Sequence, residues 1–149
     1  MPGVKVFVDT NVLLYSHDKR DPKKLETARE WLRQLTIGQA AAVNLQVLNE
    51  LTDVLLRKKW LADPETVFSM IGQLSKLGDS PLTQREVAAA RALHIAHRYS
   101  WWDCLLLASA LELGCTHFLS EDLQDGQTIR GLTIVDPFAH SPDQILISR

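Results

Sequence analysis

The chain has 149 residues, 46% of them hydrophobic, and a formal net charge of −2 at pH 7. That length suits one compact domain spanning residues 1–149, with a sizeable core and no second domain. The charge excludes a strongly basic nucleic-acid coat, although acids committed to a metal would leave room for a local basic surface.

The first element expected is a buried strand, Val4-Lys5-Val6-Phe7-Val8, running directly into Asp9-Thr10-Asn11 and a short helix from Asn11 to Tyr15. His17 to Pro22 is a polar loop whose proline is placed to open a helix from Lys23 to about Leu35, closed near Gly38. Ala40-Ala41-Ala42-Val43 reads as a second buried strand, and Asn44 as the cap of a helix from Leu45 to about Lys59. Asp63-Pro64-Glu65 repeats the cap-then-proline signal and opens a helix to about Leu77, broken by Gly78-Asp79-Ser80-Pro81.

Thr83 and Glu86 have capping-box spacing and start a helix through His97. Ser100 begins another, Trp101 to Leu113, stopped by Gly114. Thr116 to Ser120 and Leu132 to Val135 are β-rich runs, the second preceded by a turn at Gly131. The tail, about 138–149, can pack on the surface or on a partner. Strands alternating with long helices imply parallel strands with helical crossovers. The expected class is α/β, a three-layer α/β/α fold around a parallel sheet of four or five strands.

With the apolar run between them helical, the two cysteines, Cys104 and Cys115, are roughly 16 Å apart at 1.5 Å per residue, too far for a disulfide. A reducing, cytoplasmic location follows as the expectation, with no leader-like segment at the start and no apolar run long enough to span a bilayer.

Four acids fall where strands end or helices begin: Asp9, Glu50, Asp103 and Asp122. Each also has a purely structural reading. Asp9 can cap a helix, and Asp103 has capping-box spacing from Ser100. At about 100° per residue, Glu50 lies on the border of the apolar arc of Val47, Leu51 and Val54, whereas Asp53 falls on the polar side. Asp122 has Glu121 and Asp125 as close rivals for the fourth position.

A parallel sheet brings all four to its carboxyl edge, where open α/β folds bind ligands. Carboxylates crowded there need a divalent cation or protonation to coexist, and hard oxygen ligands favour Mg²⁺ or Mn²⁺. His94 and His97, three apart, form a possible metal pair or ordinary surface histidines. Trp31, Trp60, Trp101 and Trp102 are candidates for an interface, base stacking or the core. Lys19-Arg20, Lys23-Lys24 and Arg57-Lys58-Lys59 are local basic runs, which ordinary solvated helix ends also explain.

The order Val6-Phe7-Val8-Asp9-Thr10-Asn11, Asn49-Glu50-Leu51, Trp102-Asp103 and Leu119-Ser120-Glu121-Asp122 resembles the PIN-domain ribonuclease family over nearly the whole chain, and most of all the toxins of VapBC-type toxin-antitoxin pairs. The resemblance implies a metal-dependent endoribonuclease, acting on RNA through Asp9, Glu50, Asp103 and Asp122, with Asn11 and Ser120 as supporting polar groups. It also implies a homodimer and a cognate antitoxin. Two rivals remain: a non-catalytic RNA- or protein-binding module on the same fold, and a phosphatase of the haloacid-dehalogenase type. The second expects an aspartate two residues after Asp9, where this chain has Asn11.

Overall fold

The computed structural model describes residues 3–146. Its centre is a five-stranded sheet of order β2-β1-β3-β5-β4. The strands are β1 (Val6–Val8), β2 (Ala41–Ala42), β3 (His117–Leu119), β4 (Thr128–Ile129) and β5 (Leu132–Val135). The pairs β1·β2, β1·β3 and β3·β5 are parallel, with Phe7 opposite Ala42 on one side and Phe118 on the other. Val6, Phe7 and Val8 are all fully buried, as strands covered on both faces must be. The Phe7 and Phe118 rings stack at 5.4 Å between centroids.

The helices are α1 (Thr10–Tyr15), α2 (Pro22–Ile37), α3 (Leu45–Lys58), α4 (Pro64–Leu74), α5 (Gln84–His97), α6 (Trp101–Glu112) and α7 (Asp143–Leu146). Packed on the sheet, they complete the expected three-layer α/β/α arrangement. Each expected cap forms: Asp21, Asn44, Asp63 and Thr83 accept backbone N–H groups of the helices they precede, and Thr83 with Glu86 closes a full capping box. Helix α6 is buried from Cys104 to Ala110, which explains why its sequence is apolar nearly all round. Both cysteines are free and buried. Among the described residues no helix is long and apolar enough to cross a membrane.

Two departures from the sequence reading have physical causes. The sheet is not wholly parallel: β4 runs antiparallel to β5 through a two-residue turn at Arg130 and Gly131, with φ of 51° and 89°. Two positive φ values define the hairpin turn that matches strand twist, and a two-residue strand is too short to show a period. The helix expected to reach Leu77 ends at Leu74 and tightens into a 3-10 turn over Ser75–Leu77. Gly78 then adopts φ 139°, where a Cβ would lie 2.3 Å from the Val43 carbonyl oxygen at the end of β2.

The tail docks on its own domain. Trp31, fully buried on α2, donates its indole N–H to the carbonyls of Pro137 at 2.8 Å and His140 at 3.2 Å, and Ile145 of α7 is buried. The last part of the expected tail, 147–149, lies outside the described residues.

Candidate active site

The topology decides which ends of which elements meet. Strand β1 leaves the sheet at Asp9 and β3 leaves it at Ser120, and the two exits are joined by the Asp9 N–H donating to Leu119 O at 3.0 Å. Helix α3 begins just beyond β2, so its second turn, bearing Glu50, lies at the same edge. Helix α6 carries the chain back to the start of β3, so its first turn, bearing Asp103, starts from that edge too. The four acids therefore converge although they belong to four segments.

Asp9 is the buried member, with 4% of its surface exposed. It caps α1, its Oδ1 accepting the Thr10 N–H at 2.7 Å, while Oδ2 accepts from the Ser120 hydroxyl at 2.7 Å and the Asn11 amide at 3.3 Å. The cap and the site are thus one residue. Asn11 Nδ2 also donates to Asp122 Oδ2 at 2.8 Å, and Ser120 Oγ accepts the Asp122 N–H at 3.1 Å. Asn11 and Ser120 together fix Asp122 relative to Asp9.

Glu50 has both oxygens engaged: Thr10 Oγ1 donates to Oε1 at 2.7 Å and Gln46 Nε2 to Oε2 at 3.1 Å. Asp53 instead faces solvent in an exposed pair with Arg57 at 3.2 Å, as the helical arc predicts. Asp103 is half-buried and bound reciprocally to its cap: Ser100 Oγ accepts the Asp103 N–H at 3.1 Å and donates to Asp103 Oδ2 at 2.9 Å.

Burial pushes the Asp9 carboxyl from its usual 3.8 up to about 7, against the lowering effect of the Ser120 hydroxyl, with further upward pressure from Asp103 and Asp122. Burial likewise raises Asp103, with Asp122 and Glu50 adding to the push. Asp103 and Asp122 thus repel Asp9, Asp122 and Glu50 repel Asp103, and a compensating positive charge is what the cluster lacks.

The rival acids are accounted for. Glu121 forms an ion pair with Lys24, whose ammonium also lies 4.7 Å from the Tyr15 ring centroid and 4.9 Å from that of Phe138. Asp125 pairs with His140 at 2.7 Å and accepts the Asp136 N–H at 2.8 Å. Asp122 is the acid of this loop that touches the cluster through Asn11 and Ser120. His94 Nδ1 lies on the Tyr99 carbonyl at 2.7 Å and His97 Nδ1 on the Gln127 amide at 3.1 Å, so each has a protein partner of its own.

Sequence reasoning missed Thr10, Gln46 and Lys24. Gln46 had a readable signal, because it precedes Glu50 by four residues on one helix, the spacing at which side chains meet. Lys24 had none: it meets Glu121 only through the tertiary fold.

Among the described residues no group of three or more His, Cys, Asp or Glu side chains is arranged to hold a metal ion as it stands. The donor set nevertheless suits a hard cation. Asp103 Oδ1 and Asp122 Oδ1 receive no hydrogen bond among the described residues, and the buried Oε1 of Gln46, beside Glu50, has no donor. Oxygen ligands of this kind fit Mg²⁺ or Mn²⁺, whose hydration waters would also be hydrogen-bond donors.

Fold and site together define an α/β protein with a carboxylate cluster at the carboxyl edge of its sheet. The sequence matches the PIN domain family over residues 6–124, and the chain belongs to that family. No curated protein matches it. Among solved structures it shares its fold with a toxin-antitoxin complex from Klebsiella pneumoniae, at TM-score 0.63 and 21% identity, covering 89% of this chain and 98% of that one. VapBC2 from Rickettsia felis, bound to a DNA fragment from its promoter, aligns at TM-score 0.61 and 14% identity over 88% and 97%. VapC20 from Mycobacterium tuberculosis, a toxin that cleaves the sarcin-ricin loop, aligns at 0.57 and 19% over 76% and 87%.

Proposed function

We propose that the chain is a divalent-metal-dependent endoribonuclease, the toxin of a toxin-antitoxin pair, active in the cytoplasm as a homodimer and silenced by a cognate antitoxin. The observation that carries the catalytic reading is the convergence of Asp9, Glu50, Asp103 and Asp122 on one edge, with Asp9 buried and its carboxyl held near neutrality. The family supports it, and the toxin assignment is supported by the shared fold with toxins of known structure.

Asp9, Asp103 and Asp122 would hold Mg²⁺ or Mn²⁺, with Glu50 completing the set. A bound ion of this kind polarises a phosphate oxygen and lowers the pKa of a water. The residues themselves supply position and proton transfer. Thr10 and Gln46 fix both oxygens of Glu50, and Asn11 and Ser120 space Asp122 from Asp9. One carboxylate of the cluster would accept the proton from the water that forms the new bond to phosphorus. The bond from phosphorus to the leaving ribose oxygen breaks as that bond forms.

The test is cleavage of total cellular RNA by purified protein with Mg²⁺ or Mn²⁺, with EDTA and an Asp9→Asn, Asp103→Asn double variant as controls. Discrete fragments that vanish in both controls are expected. Identical behaviour of wild type and double variant would make the acids structural and leave a binding module.

A further inference from the structure

The four tryptophans have different fates. Trp31 is fully buried, and Trp60 is half-buried with Arg20 and Lys58 placed 5.1 and 5.9 Å from its ring centroid. Trp101 is 36% exposed and Trp102 61%. An indole is a large apolar surface with a flat π face, and Trp102 keeps most of its own in water one residue from Asp103.

Trp102 immediately precedes Asp103 on the first turn of α6. The turn is held rigidly from below by the buried run Cys104 to Ala110 and from the front by the Ser100 cap. Gln46 Nε2 reaches the Trp102 carbonyl oxygen at 3.4 Å and Glu50 Oε2 at 3.1 Å, so one amide ties the backbone bearing the indole to a second acid of the cluster. Leu45, the first residue of α3 and 40% exposed, precedes that same Gln46. The exposed Leu45 and Trp102 thus belong to the two helix starts, α3 and α6, that also carry Glu50 and Asp103 and that Gln46 joins.

We propose that Trp102 is a stacking platform for the nucleobase adjoining the phosphodiester that the acid cluster cuts, an inference that rests on the ribonuclease reading. A carboxylate cluster cannot attract a polyanion by its own charge, so part of the affinity has to come from an uncharged contact. Base stacking on an aromatic ring supplies one that tolerates any sequence, because every base has a π face. A tryptophan with two side-chain torsions on a rigid turn gives that contact at low cost in entropy.

The test compares wild type, Trp102→Ala and Trp102→Phe on a short single-stranded oligoribonucleotide containing a site that wild type cuts. The same oligonucleotide is then made abasic at each nucleotide flanking the cut. Trp102→Ala should lower kcat/KM about tenfold or more, with Trp102→Phe retaining most of the activity. On one of the abasic substrates wild type should fall to the level of the alanine variant, so that the difference between them disappears.

Because each variant is compared with itself across substrates, partial misfolding cancels. Equal kcat/KM for wild type and Trp102→Ala on the intact substrate overturns the proposal. So does a loss that persists on every abasic substrate, which would assign the indole to structure or to a protein partner. A wild type that cuts no RNA sinks the ribonuclease reading and this inference together, an outcome distinct from a wild type that cuts and ignores the base.

Discussion

One nitrogen of Asn11 serves two carboxylates: Nδ2 donates to Asp122 Oδ2 at 2.8 Å and approaches Asp9 Oδ2 at 3.3 Å. An amide in that position spaces like charges that would otherwise separate, and it leaves their remaining lone pairs open. Asn11→Ala should therefore weaken Mn²⁺ binding and lower RNA cleavage by about 10- to 100-fold, the usual cost of losing a group that orients metal ligands. Mn²⁺ titration alongside cleavage assays checks both; unchanged values would leave Asn11 without a role in the site.

The three acids of the loop after β3 separate by partner. Asp122→Asn should cost on the order of 100-fold or more in cleavage, as a ligand would. Glu121→Gln and Asp125→Asn should stay within about threefold of wild type, because Lys24 and His140 already occupy those carboxylates. A Glu121→Gln variant as inactive as Asp122→Asn would move the fourth ligand by one residue.

Asp9 makes the metal-free protein pH-sensitive. Its folded pKa, about 7, lies above its ordinary 3.8, so between those values the native state keeps a proton that the unfolded chain has lost. Stability contributed by this group is full below 3.8 and is lost as pH rises through 7. In EDTA, Asp9→Asn should gain on wild type from pH 5 to pH 8, by a margin on the order of 1–4 kcal/mol. At pH 8 a divalent cation should stabilise wild type and not the variant. Thermal unfolding across this range reads both effects, and a margin independent of pH would refute the assignment.

Gly78 is held to a conformation that side chains avoid, with the Val43 carbonyl where a Cβ would go. Gly78→Ala should destabilise the fold by roughly 2 kcal/mol or more, seen as a lowered denaturant midpoint. A shift within about 0.5 kcal/mol would show that the turn adapts.

The tail carries a second pH dependence. The Asp125 hydrogen bond raises His140 above its ordinary 6.5, and Asp125 is lowered below 3.8, first by the Asp136 N–H and then by His140. The His140 contribution is complete below 6.5 and is lost as pH rises through its raised value; the Asp125 contribution is present above 3.8 and is lost as pH falls through its lowered value. Amide exchange over 138–146, corrected for intrinsic rates, should be slowest at mildly acidic pH, with an effect below about 1 kcal/mol because the pair is solvent-exposed. His140→Ala should abolish that dependence, and a wild-type profile already flat would remove the pair from the docking of the tail.

Local sequence determined the parts that short-range physics controls. Caps at Asn44, Asp63 and Thr83, the continuous apolar runs of β1 and α6, and the helical arc that set Glu50 apart from Asp53 were all legible, because they depend on neighbours within one or two turns. The placement of Asp9 and Asp103 followed from the rule that a parallel sheet gathers its strand ends on one edge. Only tertiary structure decided which loop acid joins them, because Lys24 reaches Glu121 from α2 and His140 reaches Asp125 from the tail. It also decided that Trp31 anchors that tail while Trp102 stands in solvent, since burial of an aromatic side chain depends on what the rest of the chain brings against it.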